Sequence, residues 1–373
     1  MAKVKAMVME KPGKLELREF EKPHAPEDGL LLKVKACGIC GTDKHMMTGK
    51  ATWVKFPVIP GHEFVGVVEE LGPKANDTMN VIGGPLKVGD RIAVTPASKA
   101  CGRCFYCLSM PHRPQLCSNR RVYGLANCEN PPYLLGGFAE YVVVDGRSWA
   151  FKIPGNVSDE VASLTEPTSV AMRAVERALN PGEAFSGQGF GAGKSAMVIG
   201  AGPIGALVVA ALRYMGAGLV IATDFFPKRL EMAKKLGADV VIEGKRPLEE
   251  RLAEVQKLTS GVGPDVVIEA AGNPKAFEDA LTFVRRGGKL IEVGHYTDTG
   301  VAEVHPFYIC QKDVDIHGSW AYPPMMFKDA LDFFSRTSLP VSDLISKSMS
   351  LEQLEEGLNQ VGTENVHKIV IIP

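Results

Sequence analysis

The chain has 373 residues, 45% hydrophobic and 23% charged, with 42 Lys+Arg against 43 Asp+Glu for a formal net charge of -1. That length suits two domains or three, with ample chain to bury a core, and the composition is that of an ordinary globular protein. With no basic excess and no Lys/Arg block, nucleic acid and anionic membranes are excluded as partners on electrostatic grounds.

The N-terminal stretch MAKVKAMVMEKPGKLELREF lacks an uninterrupted apolar segment and a small-residue cleavage site, and no later stretch reaches the ~20 apolar residues that span a bilayer. A cytoplasmic location is expected. From residue 1 to about 150, short apolar runs (KVKAMVM, GLLLKVKA, FVGVVEEL, DRIAVT, AEYVVV) are broken by Gly, Pro and Asp. This rhythm predicts strands joined by turns, with residues 75–88 lengthening one turn. From about 165 to 317 the apolar strands MVIG, LVIAT, DVVI, DVVIEA and KLIEVG alternate with segments of helical period. Such alternation predicts βα units and a parallel sheet covered on both faces. The segment 186–195, SGQGFGAGKS, extends the approach to the first of these strands. Its Gly193-Lys194-Ser195 imitates the end of a P-loop, but Gln188 stands where that motif needs its first glycine, so nucleotide hydrolysis is set aside. Two amphipathic segments, MMFKDALDFFSR and LEQLEEGLNQV, precede the closing strand HKIVIIP.

Gly200, Gly202 and Gly205 hold G-x-G-x-x-G spacing between an apolar strand and a helix, enclosing Pro203 and Ile204, and Asp224 follows at the next strand end. In this pattern the first glycine makes the tight turn, the second lets backbone approach a pyrophosphate, and the third lets helix pack on strand. The helix N-terminus stabilises the phosphates. Asp224 can accept hydrogen bonds from a ribose diol and opposes a 2'-phosphate. NAD is therefore favoured over NADP, a preference tempered by Lys228 and Arg229. Gly294 and His295, at the end of KLIEVG, are candidates to border the nicotinamide.

Cys101, Cys104, Cys107 and Cys117 form a C-x2-C-x2-C-x9-C cluster. In a reducing compartment, four clustered thiolates match a closed tetrahedral zinc site that holds a loop. An iron-sulfur cluster would want three residues and a following Pro at the last Cys; nine residues and Ser118 stand there instead. His112 is the only nearby substitute ligand. A second, scattered set consists of Cys40 in CGICGTDKH, His62 and Glu63 in GHEFVG, and Glu166 in LTEPTSV. A thiolate, an imidazole and a carboxylate can bind Zn2+ with one position open for an alcohol oxygen. Cys37 and Cys40 also spell C-x-x-C, but no thioredoxin-like unit surrounds them.

Together these motifs, with GHEFVGVVEELG, GAGPIG and the run His317-Gly318-Ser319, resemble the zinc-dependent medium-chain alcohol dehydrogenases, in particular the branch of sorbitol, threonine and glucose dehydrogenases. The resemblance spans essentially the whole chain. It implies an α/β protein in which a doubly wound Rossmann domain (166–317) is inserted in a GroES-like, mainly β catalytic domain (1–165, with 318–373 returning to it), the substrate and zinc lying between them. It implies two zinc ions per chain: a catalytic one held by Cys40 and His62 with Glu63 and Glu166 as carboxylate ligands that are coordinated or exchange with water, and a structural one in the four-Cys lobe. Glu166 stands where the liver-type enzymes carry a second Cys. The spacer before Cys117 is two residues longer than the common family spacing.

The resemblance further implies a relay in which Thr42 accepts the hydroxyl proton and His45 passes it to solvent through the nicotinamide ribose, with Asp43 orienting a ligand. Asp224, Arg229, Gly294 and the glycine turn would hold the cofactor, and the chain would assemble as a homotetramer or homodimer. The expected reaction is hydride transfer from a secondary alcohol or polyol to NAD+. Trp53, Phe56, Trp320 and Tyr322 are candidate pocket aromatics, while Glu166 leans toward polyols, sugars or threonine-like amino alcohols. Two other readings are a zinc-stabilised NAD-binding protein without turnover and a zinc-free reductase. The presence of Thr42, His45, Cys40 and His62 argues against both.

Overall fold

In the computed structural model, which describes residues 2–179 and 191–373, the chain divides into two compact units. The first gathers Met1–Glu166, Tyr322–Arg336 and Ile345–Pro373; the second gathers Pro167–Ala321 and Thr337–Leu344. No helix among the described residues is long and apolar enough to cross a membrane.

The first unit is built on an eight-stranded sheet. Its path runs Ile345–Ser350, Lys368–Ile372, Leu30–Gly38, Glu63–Leu71, Arg91–Val94, Trp149–Lys152, Asn80–Ile82, and Tyr141–Val144 adds a second partner to Leu30–Gly38. Leu30–Gly38 sends apolar side chains to both faces, with Lys33 exposed and Lys35 partly so. Leu30, Leu32 and Val34 enter one core with Phe64, Tyr123 and Ile369, while Leu31 enters another with Val4, Ala6 and Val143, as the two-residue period of a strand requires. The closing strand Lys368–Ile372 pairs antiparallel beside it, Ile371 opposite Cys37 and Val370 opposite Gly38. The closing strand therefore joins the same sheet as Leu30–Gly38 and Glu63–Leu71, while the N-terminal strand Lys3–Lys11 pairs with Lys14–Glu21 in a separate two-stranded sheet. The segment 75–88 is more than a lengthened turn: Ala75–Thr78 is a short helix and Asn80–Ile82 a strand parallel to Trp149–Lys152. Burial of Ala75, Met79 and Leu86 in the main core draws it into regular structure.

The second unit carries six parallel strands in the order Val240–Glu243, Leu219–Asp224, Ser195–Ile199, Val266–Glu269, Lys289–Glu292, Asp315–Gly318. The order reverses between Ser195–Ile199 and Val266–Glu269, and ligands of doubly wound sheets bind at the carboxyl ends of such a pair. Of the segment 186–195, residues 186–190 lie outside the described residues. Ser195 starts its strand by donating backbone N–H and hydroxyl to Asp265 Oδ2 at 2.8 and 2.7 Å, so the P-loop-like run serves the sheet.

Candidate active site and metal centres

The strand Leu30–Gly38 delivers Cys40 to the start of the helix Gly41–Met47. Asp43, fully buried, accepts the Cys40 N–H on Oδ2 at 2.8 Å and the Gly61 N–H on Oδ1 at 3.3 Å. One carboxylate thus ties the Cys40 turn to the residue before His62, and His62 Nδ1 lies 3.9 Å from Asp43 Oδ1. The ligand atoms of Cys40, His62 and Glu63 lie within 4.8 Å of one another. Sulfur, nitrogen and carboxylate converging at this range fit a zinc ion with one coordination position to spare. Burial alone would push the His62 pKa down, but the Cys40 sulfur, Asp43 and Glu166 hold it well above its ordinary value. Cys37 is buried in the core, and desolvation pushes its thiol pKa well up, as expected of a packing residue rather than a redox partner for Cys40.

Glu63 carries a partner that lies 305 residues away: Lys368 Nζ donates to its Oε1 at 2.6 Å and also faces Oε2. Both side chains are buried, at 4% and 1% exposure. Gly38 lies between them. A Cβ there would stand 2.1 Å from Glu63 Oε2 and 2.9 Å from Lys368 Cε, so the missing side chain makes room for the ion pair.

Glu166, in the first turn of the helix Thr165–Ala178, lies outside the group of three ligand atoms. Tyr322 donates its hydroxyl to Glu166 Oε1 at 2.7 Å. Burial, reinforced by the like charge of Glu63, raises the Glu166 pKa against the opposing pull of His62. Thr42 Oγ1 is 3.7 Å from Cys40 Sγ. His45 follows three residues later on the same helix face, and burial, with Lys50 and Lys44 nearby, lowers its pKa.

In the four-Cys lobe the Sγ separations are 4.0 Å for Cys101 and Cys107, 3.5 Å for Cys104 and Cys107, and 3.9 Å for Cys104 and Cys117. Sulfurs placed 2.3 Å from a tetrahedral zinc would stand about 3.8 Å apart. All four belong to one group of candidate ligand atoms, and His112 is exposed and outside it. The long spacer is absorbed by the helix Phe105–Ser109 and the tight turn Pro114–Leu116, which bring Cys117 back. Backbone N–H groups, first that of Arg103, lower the Cys101 pKa to about 6, a thiol ready to become a ligand.

In the second unit Gly200 takes a φ of 91°, and a Cβ there would meet Ala271 N at 2.7 Å. Gly205 packs so closely that a Cβ would reach Gly200 O at 1.7 Å. The helix Pro203–Tyr214 begins directly after Gly202, and Gly202, Pro203 and Ile204 remain partly exposed at its N-terminus, where backbone amides can receive an anion. Asp224 accepts the N–H of Ala201 on Oδ2 at 2.7 Å and that of Phe226 on Oδ1 at 3.0 Å, while Arg229 Nη1 stands 3.7 Å from Oδ2. Gly294 has backbone contacts that exclude a side chain: a Cβ would lie 2.3 Å from Gly272 N. Next to it, His295 Nδ1 is 2.9 Å from Glu292 Oε1 and 3.5 Å from Glu269 Oε2. Burial, then the Glu292 charge, raises the Glu269 pKa to about 8.

Sequence reasoning missed Lys368, Glu269 and Glu292. A lysine inside the apolar run HKIVIIP was the available signal for the first. Of the expected pocket aromatics, Trp53 is 48% exposed, Phe56 packs against the cluster that holds Met46 and Val58, Trp320 stacks on Tyr296 with centroids 4.7 Å apart, and Tyr322 is buried and bonded to Glu166.

Comparison with known proteins adds independent findings. Residues 26–155 match the alcohol dehydrogenase GroES-like domain and residues 203–336 the zinc-binding dehydrogenase family. The sorbitol dehydrogenase of Bacillus subtilis (strain 168) is 34% identical over 361 residues, 96% of this chain and 93% of that protein. Among solved structures, an alcohol dehydrogenase from Thermotoga maritima superimposes with a TM-score of 0.91 at 28% identity, covering 100% of both chains. A short chain alcohol dehydrogenase from Escherichia coli CFT073, complexed with NADH, gives 0.82 at 28% identity over 100% of this chain and 99% of that one.

Proposed function

The chain belongs to the zinc-dependent medium-chain alcohol dehydrogenases, and from that premise we propose that it oxidises a secondary alcohol or polyol to the carbonyl compound, reversibly, with NAD+ as hydride acceptor. The observation that carries this reading is the convergence of Cys40, His62 and Glu63 ligand atoms within 4.8 Å, beside Thr42. Cys40 and His62 hold the catalytic zinc, Glu63 and Glu166 supply the carboxylates, and the four-Cys lobe holds a second ion. Zinc bound there supplies Lewis acidity that lowers the pKa of an alcohol hydroxyl, as it does that of water. Thr42 accepts the hydroxyl proton. His45, whose pKa is lowered by burial and then by Lys50 and Lys44, takes that proton on toward solvent. Asp43 orients His62 through the backbone and the imidazole ring.

The glycine turn from Gly200 to Gly205, with Pro203 and Ile204, receives the pyrophosphate, Gly294 borders the nicotinamide, and Asp224 with Arg229 meets the adenosine ribose. The carboxylate of Asp224, at 8% exposure, opposes a 2'-phosphate and favours NAD over NADP. Solved relatives carry NADH in one case and NADP in another, so the choice rests on the Asp224 carboxylate. Threonine-like amino alcohols and sugars are the second substrate class. Four closely spaced cysteines that converge as candidate metal ligands suit a cytoplasmic protein. Exposed Val301, Phe307 and Tyr308 support self-association as a homotetramer or homodimer.

The test combines metal analysis with NAD+ reduction against a panel of alcohols, polyols, sugars and amino alcohols. Cys40→Ala and His62→Ala are expected to lose turnover while retaining NAD binding. Turnover retained in either variant overturns the catalytic assignment.

A further inference from the structure

Within the first unit a cavity of about 330 Å³, bordered by Thr95, Gln115, Arg120, Arg147, Trp149 and Tyr322, has no role in the site described above. Its volume falls at the small end of ligand sites and suits a molecule of roughly ten non-hydrogen atoms. Three features mark it as built for a ligand. Gln115 is 3% exposed and neither its Oε1 nor its Nε2 has a hydrogen-bond partner; Thr95, at 2% exposure, leaves Oγ1 equally unpartnered. Buried amides and hydroxyls are normally satisfied, because leaving one dry costs free energy. The second feature is charge. Arg121, on the neighbouring strand, has Asp145, whereas Arg120 and Arg147 have no carboxylate partner among the described residues, and no described residue lining the cavity is acidic. The third is position, since Tyr322 both lines the cavity and donates its hydroxyl to Glu166.

We propose that this cavity binds the far end of the substrate and that this end is anionic: the substrate class is a hydroxylated acid, a polyol phosphate or a sugar carboxylate. The two guanidiniums pair with the phosphate or carboxylate. The Gln115 amide and Thr95 hydroxyl meet the chain hydroxyls next to it, and the carbinol end is directed toward the Glu166 side. The proposal rests on the catalytic reading of Cys40, His62 and Glu63.

The experiment compares sorbitol, sorbitol 6-phosphate and gluconate as substrates and, separately, as ligands in calorimetric titration of the zinc-loaded enzyme. Wild type is set beside Arg120→Gln/Arg147→Gln and Gln115→Leu. An anionic compound is expected to exceed sorbitol in kcat/KM by about tenfold or more, the discrimination residing in KM, because a hydrogen bond to a charged group is worth that factor. Whichever of sorbitol 6-phosphate and gluconate is preferred identifies the anion. The double arginine variant should lose that preference, its kcat/KM on the anionic compound falling to about that on sorbitol. Gln115→Leu should weaken binding of the anionic ligand without lowering thermal stability, since it removes an unsatisfied buried amide. Equal binding of sorbitol and both anions by wild type, or an undiminished preference in the double variant, overturns the proposal. Anion binding that depends on the arginines, with no turnover of any compound, upholds the cavity assignment and defeats the catalytic reading instead.

Discussion

Replacing Lys368 with Met tests the buried ion pair and the metal centre together. The side chain keeps its length and apolar stem, so the change is chiefly the loss of the ammonium facing Glu63. With 4% and 1% exposure for the two partners, water cannot take over, and stranding one charge of a buried pair costs about 3–5 kcal/mol. That full loss is expected in the zinc-free protein, read by urea denaturation in the presence of a chelator. A dication held by Cys40, His62 and Glu63 returns positive charge to the same carboxylate, so in zinc the loss should fall to about half. The thermodynamic cycle then requires the variant to bind zinc more tightly by the difference, about 2 kcal/mol or roughly 30-fold, measured by competition with a chromophoric chelator. An equal loss with and without zinc, or a zinc affinity that stays the same or falls, refutes the reasoning.

Cys104→Ser should remove one zinc per chain by elemental analysis and lower the thermal midpoint by at least about 5 °C; an unchanged midpoint counts against a structural ion in the lobe. Asp224→Ser is expected to raise the KM for NAD+ by about tenfold, as a charge-assisted hydrogen bond is lost, and to lower that for NADP+. A constant ratio of the two would show that the carboxylate does not select the cofactor. Glu269 has its folded pKa raised to about 8, above its unfolded value, so its contribution to stability is fully present below about pH 4.5 and is lost as pH rises through 8. Glu269→Gln keeps an acceptor for the Ala271 and Gly272 N–H groups and should flatten the decline in stability across that window in denaturation at several pH values; an unaltered slope means that the carboxyl does not carry the proton.

Short-range chemistry was legible in the sequence. Cys101, Cys104, Cys107 and Cys117 fall within one short stretch, and the glycines of 200–205 need only a strand before and a helix after, so spacing alone announces them. Alternation of apolar runs and helical segments likewise foretold the parallel sheet, because strands covered on both faces are apolar throughout. Tertiary structure decided what lies far apart in the chain. The meeting of Lys368 with Glu63 follows from both flanking strands pairing with Leu30–Gly38, a register that no local pattern encodes. Tyr322 finds Glu166 across 156 residues, and Gln115 becomes an unsatisfied amide only once folding buries it. Residue spacing reports which groups can act together within a turn or a loop. Which buried groups end without partners, and which charges face one another, is set by how separated segments pack, and in this protein that packing supplies the ion pair, the tyrosine contact and the cavity.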